Sequence, residues 1–310
     1  MNTKNRARII RTAGYIALFG NLVLATVKLI LANIAGSLAV TGDGIDSLTD
    51  VAIASMTLVV SHIITRPGDK KHPWGYGRTE TTATMALSFV IFFAGSQVVV
   101  SSIRQLVLHT YQNEVSFYAI VAALISIAGK SLLAISQYVL GKKSNSPMIQ
   151  ANAQNMKGDI LLSAGVLLGI AVARFLHKPI FDPLTALLVG TWVIKNAIEI
   201  FSDTNTELMD GNTNEEMYRR MFDAVRSVQG VSHPHRARIR KIASRWDIDL
   251  DIEVDANMTV YEAHEIANNV EKAVHAAISD IYDIMVHIEP AGRAVQDTDE
   301  QYGVTETDVQ

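Results

Sequence analysis

"LAVTGDGIDSLTDVAIASMTLVV", residues 38–60, has the length and apolar content of a membrane-crossing helix, yet three aspartates, Asp43, Asp46 and Asp50, sit inside it. About 20 residues of helix cross a hydrocarbon core. An ionised carboxylate at that depth costs several kcal/mol, so such residues usually face a bundle interior and mark an ion or proton path. The i, i+3, i+7 spacing stacks the three on one helical face over two turns. The segment therefore predicts one helix of a multi-span bundle with an acidic stripe.

The rest of the chain supplies the bundle. Five further apolar stretches are long enough to span, near 12–34, 79–108, 115–140, 147–176 and 179–204. Of 310 residues, 49% are hydrophobic while 19% remain charged, which predicts a membrane portion joined to a soluble one. The net charge of -4 has no basic excess and argues against a nucleic-acid partner. Cysteine is absent, which excludes disulfides, zinc-thiolate sites and thiol catalysis, so any metal must be held by oxygen and histidine nitrogen. The basic N-terminus leads into an apolar run that continues past Lys28 to Ile34 without a small-residue cleavage site, and reads as a retained first span.

Lysine and arginine set the orientation. Lys4, Arg6, Arg8 and Arg11 precede the first span, Arg66, Lys70, Lys71 and Arg78 lie in the second connection, and Lys142 and Lys143 in the fourth. The first and third connections have none. The positive-inside tendency places both termini in the cytoplasm of a multi-pass protein, with a bacterial inner (plasma) membrane as the expected location.

After residue 208 the character changes. "NEEMYRRMFDAVRSVQG" reads as an amphipathic helix ending at Gly230, and "WDIDLDIEVD" as a half-buried strand with Trp246, Ile248, Leu250, Ile252 and Val254 on one face. "TVYEAHEIANNVEKAVHAAIS" opens with a capping box, Thr259 and Glu262, and "RARIRKIAS" and "YDIMVHIEP" supply two more strands. The expected architecture is a membrane α-helical bundle of six transmembrane helices over 1–208 plus a small cytoplasmic α+β, ferredoxin-like domain over 209–292. The acidic tail, 293–310, is expected to be disordered.

The fifth span carries a counterpart to the opening stripe. Asn155 and Asp159 in "ANAQNMKGDILLSAG" are four apart and share a face. At 1.5 Å per residue, Asp46 lies about 12 Å from the outer end of its span and Asp159 about 18 Å from the inner end of its own. The two pairs thus arrive at similar heights and can converge on one ion. The competing reading is structural: a buried aspartate can pair with Lys28 or Lys130, and for Asp43 that role stands beside the functional one.

"GSLAVTGDGIDSLTD", "RPGDKKHPWGYGRTE" and "NSPMIQANAQNMKGDILLSAG" resemble the cation diffusion facilitators, and the likeness runs to about residue 290. It implies a six-span homodimeric exporter of divalent transition metals driven by proton antiport, with Asp46, Asp50, Asn155 and Asp159 in the four transport-site positions. Asp43 matches a family aspartate that is not counted as a ligand. The departure is Asn155, where zinc-carrying members have histidine. An all-oxygen set suits Mn²⁺, with Fe²⁺ and Zn²⁺ next, whereas imidazole favours Zn²⁺. Without imidazole at the site, the exchanging protons fall to Asp46, Asp50 or Asp159, carboxylates crowded enough that one holds a proton when metal is absent. The metal is cargo or regulator, not a resident cofactor, and the protein's other partners are protons, membrane lipid and a second copy of the chain.

Two further groups have ligand chemistry. Asp69 and His72 in the second connection are spaced as metal ligands, although the position that completes such a loop site in some relatives is Tyr76, and Lys70 and Lys71 oppose a cation. In the soluble domain, alternation collects Asp249, Asp251 and Glu253 on one strand and His287 with Glu289 on another. The resemblance places His233, Asp251, His287 and Glu289 at regulatory metal positions near a dimer interface. His264 is a further candidate, His275 reads as exposed, and His235 is left unassigned. Solvated strand faces and loop-fixing roles are the plain alternatives. Two other functions compete: a non-transporting metal sensor or scaffold of the same family, and an intramembrane aspartyl hydrolase. The latter would need a polar substrate-binding constellation that the spans lack, so the chain is expected not to be an enzyme.

Overall fold

Six long helices form where the apolar stretches lie: α1 (Thr3–Ala35), α2 (Leu38–Ile64), α3 (Thr79–Leu108), α4 (Phe117–Ser144), α5 (Pro147–Phe175) and α6 (Phe181–Leu208). The structure is a computed structural model that describes residues 3–64, 68–110, 116–144, 147–212, 214–242, 245–292 and 302–309. Arg66, most of the third connection and residues 293–301 of the tail lie outside the described residues. Five of the helices are long and apolar enough to cross a membrane, while the 27-residue α2 breaks its apolar surface with the three aspartates.

Inside the bundle, small residues let helices approach and polar groups tie them together. A Cβ on Gly95 would meet the carbonyl oxygen of Gly190 at 3.2 Å and the reverse holds equally, so α3 and α6 cross backbone to backbone. Gly20 on α1 receives Leu133 of α4, and Gly129 of α4 receives Leu24 of α1. Ser126 and Ser163 share a 2.7 Å hydrogen bond between α4 and α5. The N-terminus of α2 is capped from a distance: Ser37 Oγ donates to Asp182 Oδ1 at 2.5 Å and Leu38 N–H to Asp182 Oδ2 at 2.9 Å. An acidic side chain there satisfies an orphan N–H and suits the positive end of the helix dipole.

The second compact unit has the expected element order: α7 (Glu215–Arg226), β1 (Ser232–Ile242), β2 (Arg245–Val254), α8 (Val260–Ala277) and β3 (Ile281–Pro290). The capping box forms, with the Thr259 side chain accepting from Glu262 N–H and the Glu262 carboxylate accepting from Thr259 N–H at 2.9 Å. The sheet runs β1-β2-β3, antiparallel for the first pair and parallel for the second, which α8 makes possible as the crossover. Met221, Phe222 and Val225 of α7 and Val270 and Val274 of α8 pack on Ile248, Leu250 and Ile252.

Two features depart from expectation. The compact division is not a cut at 208: residues 64–82 group with 203–310. Within that unit Arg78 pairs with Asp210 and donates to Leu208 O at 3.1 Å, and Tyr282 OH donates to Trp74 O at 3.2 Å. The second connection is thus bound to the C-terminal domain by its own polar groups. The tail also holds structure. Val304 and Ala237 exchange backbone hydrogen bonds at 2.8 and 3.0 Å along the free edge of β1. A 3-10 turn, Glu306–Val309, then buries Val309 in the core while Arg226 pairs with Glu306 at 2.9 Å. Composition misses this because one strand bridge and one buried valine suffice to hold a short segment against an existing edge.

Replacing Asp182 with alanine removes both acceptors at the start of α2 and is expected to destabilise the protein by about 1–3 kcal/mol. The readout is the thermal midpoint of the full chain in detergent; no change would mean that α2 is capped otherwise.

Candidate functional site

The two buried lysines of the bundle answer different aspartates. Lys28 of α1, fully buried, lies 2.9 Å from Asp43 Oδ2 and donates to Ser47 Oγ at 2.7 Å. Ser163 Oγ of α5 donates to Asp43 Oδ1 at 2.7 Å. The Asp43 carboxylate thus has an ammonium beside one oxygen and a hydroxyl on the other, and it links α1, α2 and α5.

The second lysine stands elsewhere. Lys130 of α4, also fully buried, pairs with Asp50 of α2 and lies 2.7 Å from Asp159 Oδ2 of α5. Two carboxylates more than a hundred residues apart thus reach one point, now taken by an ammonium. They keep side-chain exposures of 32% and 22%, whereas the lysine between them is fully buried. Asp46, one turn before Asp50, is 7% exposed, lies within electrostatic reach of Asp50 and Asp159, and has no ion pair among the described residues. Asn155 is exposed on α5 one turn before Asp159, and no described contact joins it to the carboxylates. Three of the four expected residues therefore surround one locus, and the fourth shares only its helix face. Sequence spacing named Lys130 as a conceivable partner but did not place it between the two pairs.

The second connection closes on itself. Asp69 accepts from the backbone N–H of Lys71 and His72, each at 2.8 Å, and from the Tyr76 hydroxyl at 2.7 Å. The Tyr76 hydrogen bond and then the two backbone bonds hold its carboxyl down to about 2. His72 Nδ1 lies 3.5 Å from Asp69 and its ring sits against that of Tyr76. Asp69 and His72 are together, but the carboxylate is occupied in fixing the loop.

In the C-terminal domain, strand register makes a row. His235 of β1 faces Asp251 of β2, which faces His287 of β3, and Glu253 is opposite Glu289. Ligand atoms of His235, Asp251 and Glu289 all lie within 4.8 Å of one another. The His235 Nδ1 faces the His233 carbonyl oxygen at 2.8 Å and its Nε2 is 3.8 Å from Glu289. A ring nitrogen held by a carbonyl, with the other turned to carboxylates, is the arrangement that orients imidazole for a metal. Arg236 holds Asp251 at 2.8 Å, so a metal there has to displace a guanidinium.

His235 is the residue that sequence reading left out. Plain alternation puts His233 and His235 on one face, but the ladder is irregular on both sides of His235, and His233 and Arg236 have φ of +42° and +49°. Pro234 in the middle of "SHPHR" signals such a bulge, because proline cannot donate to the ladder. His233 consequently turns to Glu253 at 3.1 Å and stacks on His235, outside the cluster. His287 is 62% exposed beside Glu289 at 3.5 Å, and His264 is exposed on α8 and is not one of the three clustered residues.

Comparison with known proteins places this geometry in context. A family model described as the cation efflux transmembrane domain matches residues 14–209, and one described as the cation efflux protein cytoplasmic domain matches residues 213–291. The magnetosome protein MamB of Magnetospira sp. strain QH-2 is 30% identical over 274 residues, covering 88% of this chain and 93% of that protein. The manganese efflux system protein MneS of Bacillus subtilis is 30% identical over 274 residues, covering 87% and 91%. A solved metal-bound C-terminal domain of the CzcD transporter from Thermotoga maritima is 36% identical, covering 27% of this chain and 98% of that one, with a TM-score of 0.26.

With Asp50→Ala in the background to silence the membrane locus, His235→Ala is expected to weaken Zn²⁺ binding to the full chain by about tenfold or more. His264→Ala should leave the titration unchanged; equal losses in both would reject the cluster.

Proposed function

The chain belongs to the cation diffusion facilitator family of cation efflux proteins, and we propose that it exports Mn²⁺ from the cytoplasm in exchange for protons through Asp46, Asp50, Asn155 and Asp159. Divalent metal transport follows from the family; the metal, the proton coupling and the ligand set are the proposal. The observation that carries it is the meeting of Asp50 and Asp159 around a single cation position, beside the buried Asp46.

The chemistry follows from the donors. Carboxylate and amide oxygens bind hard divalent cations at about 2.0–2.6 Å, and the absence of imidazole withdraws the main advantage of Zn²⁺. The manganese efflux protein MneS among the relatives supports the same preference. Fe²⁺ and Zn²⁺ are the next candidates. Metal entering from the cytoplasmic side displaces protons from the aspartates, and protons arriving from the other side displace the metal. One acidic locus that binds either cargo couples the two fluxes, provided the bundle exposes it to one side at a time. The protein acts as a homodimer in the plasma membrane with both termini cytoplasmic. The His235, Asp251 and Glu289 cluster serves as a regulatory metal site in the C-terminal domain.

A metal sensor or scaffold without transport would keep binding and lose flux. In proteoliposomes, Asp50→Ala and Asp159→Ala are each expected to reduce Mn²⁺-dependent proton flux by about a hundredfold or more, against a wild type that is active. A silent wild type would favour the sensor reading, and full activity in both variants would overturn the ligand assignment. Asn155→His is expected to raise Zn²⁺ transport relative to Mn²⁺ in the same assay; an unchanged ranking rejects the selectivity argument.

A further inference from the structure

Lys130 does not behave as an ordinary helix-packing lysine. Its Nζ bridges carboxylates from two other helices, whereas Lys28 already neutralises Asp43 with help from Ser47 and Ser163. Lys130 is fully buried, and its helix contributes none of the four residues assigned to the cargo. It occupies the point at which Asp50 and Asp159 converge, so a divalent ion bound to both carboxylates and an ammonium bound to both exclude one another by charge and by volume.

We infer that Lys130 is a tethered counter-cation that takes the place of the cargo between Asp50 and Asp159, and that metal enters by pushing it aside and leaves as it returns. This rests on the assignment of Asp50 and Asp159 as transport ligands. Three ionised aspartates, one ammonium and one divalent cation sum to zero charge, so the loaded locus is neutral with the lysine near and singly negative without it. A lysine suits the task because four rotatable carbons allow its charge to swing away while the helix stays in place. Asp50 and Asp159 keep part of their side-chain surface exposed, which gives an incoming ion a first contact before the ammonium moves. Lys130 is a positioning residue in this scheme: it acts on the cargo only through the two aspartates. Removing its charge deepens the well for a divalent ion and takes away the competitor that helps expel it.

The test uses full-length protein in lipid nanodiscs for Mn²⁺ titration and in proteoliposomes for flux, at mildly alkaline pH. Wild type, Lys130→Met, Lys130→Gln and Lys130→Arg are compared, with Asp50→Ala as the control for the ligand assignment. The Met and Gln variants are expected to bind Mn²⁺ about tenfold tighter while their maximal flux falls by about tenfold, and Arg, which keeps the charge, is expected to restore part of the flux. Unchanged affinity in the neutral variants, or affinity and flux falling together, would overturn the inference and leave Lys130 as a structural peg. A collapse of the thermal midpoint in both neutral variants, with Arg fully active, would do the same. If Asp50→Ala loses none of the Mn²⁺ sites that the wild type titrates, the ligand assignment itself has failed, independently of the lysine and of the C-terminal cluster.

Discussion

A charge held away from water must be answered at bonding distance, and this bundle is arranged around two such answers. Lys28 closes on Asp43, and Lys130 closes on Asp50 and Asp159. Through these contacts and the Ser126 to Ser163 hydrogen bond, α1, α2, α4 and α5 are fixed to one another by polar groups that have no alternative partner in hydrocarbon. The apolar surfaces of the same helices distinguish poorly between neighbours and lipid, so register and partner choice fall to the charges and to the glycine crossings.

The same constraint treats the three aspartates of α2 differently. Asp43 has an ammonium of its own beside one oxygen and a hydroxyl on the other. Asp50 shares its ammonium with a second carboxylate, and Asp46 stands within electrostatic reach of both without an ion pair among the described residues. Carboxylates that outnumber the cation beside them either hold a proton or attract a further cation. That contrast, not the mere presence of acids in a span, distinguishes the locus.

The C-terminal domain solves a milder version of the problem. Asp247 and Asp251 are almost as buried as the apolar residues beside them, because Arg240 and Arg236 reach them at 2.7 and 2.8 Å. The strand's acidic side is therefore a set of ion pairs and not a solvated face. His235 and Glu289 meet Asp251 at the end of that set. Any metal held by His235, Asp251 and Glu289 would compete with the Arg236 guanidinium for Asp251.

The sequence by itself determined the elements. Uninterrupted apolar stretches, the alternation of "WDIDLDIEVD" and the Thr259 and Glu262 box are local patterns, and helix period or strand pleat converts each directly into structure. It also determined which face of α2 and of α5 carries the polar groups, since four residues make one turn. What only the tertiary structure decided is which oppositely charged groups meet. Whether Lys130 answers Asp43 or bridges Asp50 and Asp159 depends on how α4 is rotated and set against its neighbours. Whether His233 or His235 enters the cluster depends on bulges that reverse the alternation around Pro234. Both are matters of a few ångströms between segments far apart in the chain, and electrostatic energy at short range, which fixes them, has no periodic signature in a sequence.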